Sequence, residues 1–399
     1  MLEIYDFSVD HVTAPSLVRC EELCFGWKLR SDRTGVRQES YRLLIEGSAG
    51  AVFDSGTVVT EKSIDIYHEE LVLAPRADYT LTLRVSDTLG ETAVKRIRVS
   101  SALCDEDWQG ACWIKPAELI PEWSPFLRTS FCAKGIKRAV LYACGLGYAE
   151  YYVNGQRADD FFIDPPFSNY TEELYYRRID VTSLLQDGEN ALVAWLGNGF
   201  WGQGRTLPGS RGNRRSYGDP CLKLKLFLDL ADGTTKEIAT NTADWKCRYS
   251  PITSNNVYAG EVYDARIETP DFSLPGISVL GWGDVTEDKT EKGRMLPSLI
   301  PPVRVLRELP AVSVTPCSGT RDSAWLFDVG ENIAGVPEFH LPPSPSGALY
   351  TFRYAEALNE GGTPDYRSTG GYATQCIQQD IYICRGDPDG EVYRPRFTY

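Results

Sequence analysis

Apolar and polar residues alternate strictly between residues 79 and 85, where Tyr79, Leu81, Leu83 and Val85 are separated by Thr80, Thr82 and Arg84. A period of two puts every apolar side chain on one face of an extended chain, so this stretch predicts a half-buried strand. The same period is plainest at Leu222, Leu224, Leu226, Leu228 and Leu230, five leucines on one face followed by an Asp232-Gly233 turn and a returning segment, Thr234 to Ala239. That stripe predicts a hairpin lining one wall of an antiparallel sandwich. Glu150 to Val153 runs into Asn154-Gly155, a strong two-residue hairpin signal. Further strands are predicted at Phe25 to Trp27, Tyr41 to Ile45, Val140 to Tyr142, Ala191 to Leu196, Val303 to Leu306, Ala324 to Val329 and Tyr350 to Tyr354. A strand pair is predicted within 372–384. No long window carries the 3.6-residue period of a helix, and the chain reads as all-β.

Turn residues divide the pattern into three blocks. Residues 1–102 carry turns at Asp54-Ser55-Gly56 and Asp87 to Gly90, with strands spaced as in an immunoglobulin or fibronectin type III sandwich and Trp27 in its core. The second block, 103–290, contains a bend at Gly145-Leu146-Gly147 and a Gly- and Arg-rich stretch, 201–219, that suits no regular element and predicts a long loop. The segment from Trp108 to Phe131 is assignable to either neighbouring sandwich. Pro297 to Pro302 reads as a linker into the third block, 291–399, with turns at Gly330 to Asn332 and Asn359 to Gly362. Pro395 to Tyr399 reads as a strand with no turn, polar tail or cap behind it. The third sandwich is therefore expected to be unfinished, with any catalysis lying in a longer polypeptide.

The 399 residues are 42% hydrophobic, with 22 Tyr, 15 Phe and 9 Trp, enough to build two or three cores. A formal net charge of −14 argues against nucleic acid or an anionic membrane as partner. Met1 to Asp6 has neither the basic nor the apolar region of a secretory signal, and no stretch approaches the ~18 apolar residues of a membrane span. The 11 Cys form no C-x-x-C pair; Cys20 and Cys24 are the closest, and no His neighbours them in sequence. With three His in all, zinc is not expected, and the thiols read as reduced residues of a cytoplasmic protein.

Several ordered phrases resemble one family, the bacterial α-L-rhamnosidases of glycoside hydrolase family 78. They are Ala139 to Tyr148 with Tyr152 to Gly155, Asp164-Pro165-Pro166, Asn169-Tyr170, Tyr176 to Leu185, Gly188-Glu189-Asn190, Leu196 to Trp201 and Gly260 to Arg266. Asp328 to Gly335, Tyr354 to Leu358 and Arg396 to Tyr399 continue the likeness, and Trp27, Gln38, Tyr41, Asp54 to Gly56 and Tyr79 resemble the module that precedes them. The resemblance implies three consecutive β-sandwich modules: fibronectin III or immunoglobulin-like, a galactose-binding-like jelly roll, and an incomplete lectin-like sandwich. It also implies a parent that removes terminal α-L-rhamnose with inversion, using acids in an (α/α)6 barrel absent from this chain. That barrel would be the chain's partner; self-association through the apolar surface left where it docks is expected. The alternatives are a free-standing carbohydrate-binding protein and a scaffold without ligand.

Candidate chemistry is thin. Inverting hydrolysis needs two carboxylates ~6.5–9.5 Å apart; Glu261 and Asp264, beside Arg266, Tyr258 and Tyr263, are the most suggestive pair. The structural alternative, which the run Gly-Glu-x-Tyr-Asp-x-Arg favours, is loop closure by carboxylate–guanidinium and carboxylate–amide bonds. For L-rhamnose or a rhamnoside, Asn198, Phe200, Trp201 and Arg205 offer aromatic faces and polar groups around the Gly-rich loop, with Arg211 and Asn213 nearby. Arg205, Arg211, Arg214 and Arg215 offer contact to an anionic ligand; in an acidic protein, pairing with neighbouring acids or contact with the barrel is preferred. The resemblance further implies a calcium-dependent sugar site near Asn154 and Asn198, although Val153 stands where the binding relatives carry Asp. The structural alternative makes Asn154 a turn residue, Asn198 a loop anchor and Trp201 a packing residue, and it is preferred.

Overall fold

The computed structural model describes residues 1–202, 217–317, 324–369 and 377–397. Apart from short 3-10 turns such as Asp105–Trp108, Thr182–Leu184 and Ala265–Ile267, the regular elements among these residues are strands. The chain divides into two compact units, one of Met1–Gln109 with Met295–Pro301, the other of Gly110–Arg294 with Pro302–Tyr399.

The first unit is a two-sheet sandwich. One sheet orders Val12–Thr13, Leu2–Val9 and Phe25–Ser31; the other orders Leu17–Val18, Thr92–Ser101, Asp78–Asp87, Gln38–Gly47 and Gly50–Asp54. The alternating residues Tyr79, Leu81, Leu83 and Val85 face Phe7, Phe25 and Trp27 in one buried cluster, as their period requires. Trp27 is buried with its indole N–H donated to Gln38 Oε1 at 2.7 Å, and the Gln38 amide donates in turn to the Thr60 and Lys62 carbonyls. Every polar atom that the buried indole brings inside is thus paired.

In the second unit, the leucine stripe lies on the strand Cys221–Leu230, paired with Ile136–Leu146 and with the returning strand Thr235–Ala239. Leu222, Leu224, Leu226 and Leu228 are fully buried, against Leu127, Leu192, Ala194 and Leu196 of the opposing layer. That layer orders Gln156–Arg157, Tyr148–Val153, Gly188–Gly197, Pro125–Ala133 and Lys246–Tyr249. Asn154 and Gly155, at φ 49° and 86°, make the tight turn between Tyr148–Val153 and Gln156–Arg157.

Gly188–Gly197 is buried on both faces. Leu192, Ala194 and Leu196 enter the leucine core, while Val193 and Trp195 enter a second core with Tyr148, Tyr263, Tyr382, Tyr393 and Phe397. A strand covered on both sides reads as a continuous apolar run rather than an alternating one, which is what Ala191 to Leu196 shows. The second core is completed by a four-stranded sheet ordered Ile252–Asn256, Gly260–Asp264, Gln379–Ile383 and Leu349–Arg353, in which Gly260–Asp264 runs parallel to Gln379–Ile383. The segment around Glu261 is therefore paired with strands of the third sequence block. Gly197 makes room for the Phe397 ring: a Cβ there would lie 2.4 Å from its Cγ.

Two expected strands do not form. Val303 to Leu306 is irregular, with Val303 joined only by an isolated bridge to Phe162 and Leu306 94% exposed; with no buried face to gain, an apolar run has no reason to pair. Pro395 to Phe397 is a non-strand segment held by side chains instead of a ladder, and Thr398 and Tyr399 lie outside the described residues. So do the centre of the predicted 201–219 loop and the first part of the strand pair expected at 372–384, of which Gln379–Ile383 is described.

Leu226→Ala is expected to destabilise the second unit by about 2–5 kcal/mol, the cost of a large-to-small change in a filled core, read as a lowered urea midpoint with an unchanged slope.

Candidate functional site

Glu261 and Asp264 diverge. They are three residues apart on one strand, an odd spacing that sends their side chains to opposite faces. Asp264 is a loop-closing residue: it accepts from Arg266 Nε and Nη2 at 2.9 and 2.8 Å and from the Arg266 amide at 3.1 Å, and this guanidinium holds its carboxyl below the usual range. It caps the short turn Ala265–Ile267. The pair therefore does not form a two-carboxylate centre, and the loop closure expected for this run is what the geometry contains.

Glu261 faces inward, 2% exposed. Its carboxyl accepts from the Tyr393 hydroxyl at 3.1 Å and the Arg396 amide at 3.2 Å, while its own amide donates to Asp380 Oδ1 at 2.8 Å. Asp380, fully buried, also accepts from the Tyr354 hydroxyl at 2.5 Å. Burial first, then the charge of Asp380, pushes the Glu261 carboxyl up to about 8. Arg396 extends the network: its guanidinium donates to Glu150 Oε2 at 2.9 Å and lies 4.2 Å from the Trp195 ring centroid. Burial, the largest single influence, lowers its pKa, but the Glu150 carboxylate together with Tyr152, Tyr263 and Glu261 holds it above the usual value. Glu150 is bonded as well to the Tyr152 hydroxyl at 2.7 Å and approaches Arg157 at 3.4 Å. Glu150 and Asp380 were not singled out from sequence. The available signal for Glu150 is a lone acid in the aromatic strand Tyr148–Val153, where a carboxylate is kept only if partnered.

The residues proposed for sugar contact are dispersed by burial. Asn198 is an anchor: its amide N–H donates to Asn255 Oδ1 at 2.6 Å and its side chain to the Asn255 carbonyl at 2.8 Å. Trp201 is fully buried, its indole N–H donated to the Asp219 carbonyl and its ring stacked on Tyr217. Phe200 is half-buried, edge-on to Tyr148, Tyr258 and Phe167, and Phe167 is 59% exposed. Arg205, Arg211, Asn213, Arg214 and Arg215 lie outside the described residues.

Asn154 and Asn198 cannot share a calcium ion. They flank opposite ends of Gly188–Gly197, roughly 23 Å apart at the rise of a strand. The Asn154 amide is also committed, donating to Asn190 Oδ1 at 2.7 Å and the Leu184 carbonyl at 2.9 Å and accepting from the Ala191 amide at 2.8 Å. Two carboxamides that far apart do not meet the oxygen-rich demand of that ion.

A folded-state pKa raised above the unfolded value means that the native state keeps a proton the unfolded chain has lost, so stability falls as pH rises between the two. For Glu261 that window runs from about 4.5 to about 8. The chain is expected to lose stability through this group as pH rises from 5 to 8. Glu261→Gln should remove that part of the slope in urea midpoints. The residual slope then belongs to other carboxyls such as Asp159, pushed up by burial to about 7.

Three family models match the chain in succession: a Rha78A-like N-terminal immunoglobulin domain over residues 4–102, an α-L-rhamnosidase N-terminal domain over 134–307, and a bacterial α-L-rhamnosidase concanavalin-like domain over 318–399. An α-L-rhamnosidase of Formosa agariphila is 30% identical over 96% of this chain and 44% of its own length. The α-L-rhamnosidase structure from Dictyoglumus thermophilum superposes with a TM-score of 0.85 at 28% identity, over 99% of this chain and 46% of that one. The Streptomyces avermitilis α-L-rhamnosidase, solved with L-rhamnose, has the same fold over this whole chain and 55% of its own, with a TM-score of 0.81 at 21% identity. The chain thus spans about half the length of the first of these relatives. Domain by domain and in the same order, it belongs to the α-L-rhamnosidase family through that family's N-terminal immunoglobulin, rhamnosidase N-terminal and concanavalin-like domains.

Proposed function

We propose that this chain is the non-catalytic N-terminal part of an enzyme that hydrolyses terminal α-L-rhamnosides, and that its sandwiches act as a scaffold for the part that performs the chemistry. The observation that carries this reading is the succession of three N-terminal family domains, each matched in order. The side chains support it. The suggestive carboxylates, Glu261 and Asp264, are spent on closing backbone segments, so neither is poised to protonate a leaving oxygen or activate water. Incubated with p-nitrophenyl α-L-rhamnopyranoside, the 399-residue chain is expected to release no nitrophenol above the buffer rate. Turnover by this chain, lost in Glu261→Gln, would overturn the reading.

A second reading, sugar contact by the jelly-roll layer, is favoured by one observation. Phe167 presents an exposed ring, braced edge-on by Phe200 and Tyr170, and aromatic faces of this kind stack on the C–H patches of a pyranose. Calorimetry with L-rhamnose is expected to give weak binding that Phe167→Ala abolishes and EDTA leaves unchanged; absence of heat sinks this reading without touching the first.

A further inference from the structure

Sequence spacing gives Cys24 no histidine neighbour, but folding does. Among the described residues, His11, Cys24 and Asp65 bring an imidazole nitrogen, a thiol sulfur and a carboxylate oxygen within 4.8 Å of one another. They come from three separate segments of the first unit. His11 sits in the two-residue turn joining Leu2–Val9 to Val12–Thr13, Cys24 immediately precedes Phe25–Ser31, and Asp65 lies in the segment alongside.

Backbone bonds lock the three together before any ion is considered. The Asp10 amide donates to the Cys24 carbonyl at 2.7 Å and the Cys24 amide returns to Asp10 Oδ1 at 3.1 Å, which fixes the His11 turn against Cys24. The Phe25 amide donates to the Ile66 carbonyl at 2.8 Å and the Ile66 amide to the Phe25 carbonyl at 3.0 Å, which fixes Asp65 on the other side. His11 and Asp65 both occupy left-handed backbone, at φ 64° and 50°, conformations that a side chain other than glycine adopts at a cost. Cys24 is buried and its thiol donates to Asp65 Oδ1 at 3.9 Å, while His11 and Asp65 are exposed.

We propose that His11, Cys24 and Asp65 form a binding site for one divalent transition-metal ion of the zinc class. One nitrogen, one sulfur and one carboxylate oxygen are a borderline-soft donor set: the thiolate disfavours calcium and magnesium, and all three donors suit zinc. Tetrahedral zinc with bonds of about 2.0–2.3 Å needs ligand atoms about 3.3–3.8 Å apart. Rotation of the exposed His11 and Asp65 side chains toward the buried sulfur closes the difference. A water takes the fourth position. On binding, the Cys24 thiol gives its proton to solvent and the thiolate bonds the ion. The ion then ties the turn, the start of Phe25–Ser31 and the Asp65 segment into one cluster, and stabilises the unit in proportion to its occupancy.

The test uses the whole chain, reduced and stripped with chelator, titrated with Co²⁺ and then Zn²⁺. Expected are one equivalent of tetrahedral cobalt absorption with a thiolate-to-cobalt charge-transfer band, both displaced by Zn²⁺, and a Zn²⁺-dependent rise in Tm. His11→Asn and Asp65→Asn, which keep a residue tolerant of left-handed backbone, should each weaken Zn²⁺ by about tenfold or more. Cys24→Ser should abolish the charge-transfer band, whereas Cys132→Ser, which removes an exposed thiol elsewhere, should leave it intact. No charge-transfer band in the native chain, or a band that survives in Cys24→Ser, would overturn the proposal.

Discussion

One buried carboxyl, that of Glu261, organises the second unit. It accepts from the Tyr393 hydroxyl and the Arg396 amide, so the segment that follows Glu391–Tyr393 is fastened by side-chain acceptors where a strand ladder would otherwise be needed. Arg396 carries the fastening across to Glu150, a partner 246 residues earlier. Taking such groups out of water costs several kcal/mol each unless every one finds partners, and removing a single partner leaves the others stranded. This is why the carboxylates that look chemically promising are the ones least available for chemistry: their lone pairs are already used to hold the chain.

That fastening has force because of what lies beneath it. Gly188–Gly197 serves two cores at once, giving alternate side chains to the leucine wall and to the aromatic cluster of Tyr263, Tyr382 and Tyr393. A change on one side of this strand is transmitted to the other through a backbone that has no solvent face to relax into. The jelly-roll and concanavalin-like layers of the second unit therefore share one strand as a common wall. A rigid wall of that kind suits a supporting role better than a site that must open and close.

What was legible in the sequence was local. The leucines from 222 to 230, the Asn154-Gly155 turn and the burial of Trp27 all follow from period, turn chemistry or residue type, which act over a few positions. The closure of Gly260 to Arg266 was legible for the same reason, since Asp264 and Arg266 are two residues apart. Partners far apart in sequence were not. Nothing near Glu261 announces Asp380, and nothing near Cys24 announces His11, because the pattern tells which face a residue occupies and not what the fold brings against that face. Val303 to Leu306 shows the converse error, an apolar run with strand-like composition that meets no layer to bury it.

The Gly197 socket has a consequence for how the protein is made. The Gly197 socket is synthesised roughly 200 residues before Phe397, the ring that fills it, which at 5–20 residues per second is a delay on the order of 10–40 s. Throughout that interval the nascent jelly roll presents Trp195 and a ring-sized vacancy beside it, with the Glu261 carboxyl, once made, waiting for its donors. Until Phe397 is made that apolar face lacks the ring that fills it, and transiently exposed surface of this kind is what chaperones shield from neighbouring chains.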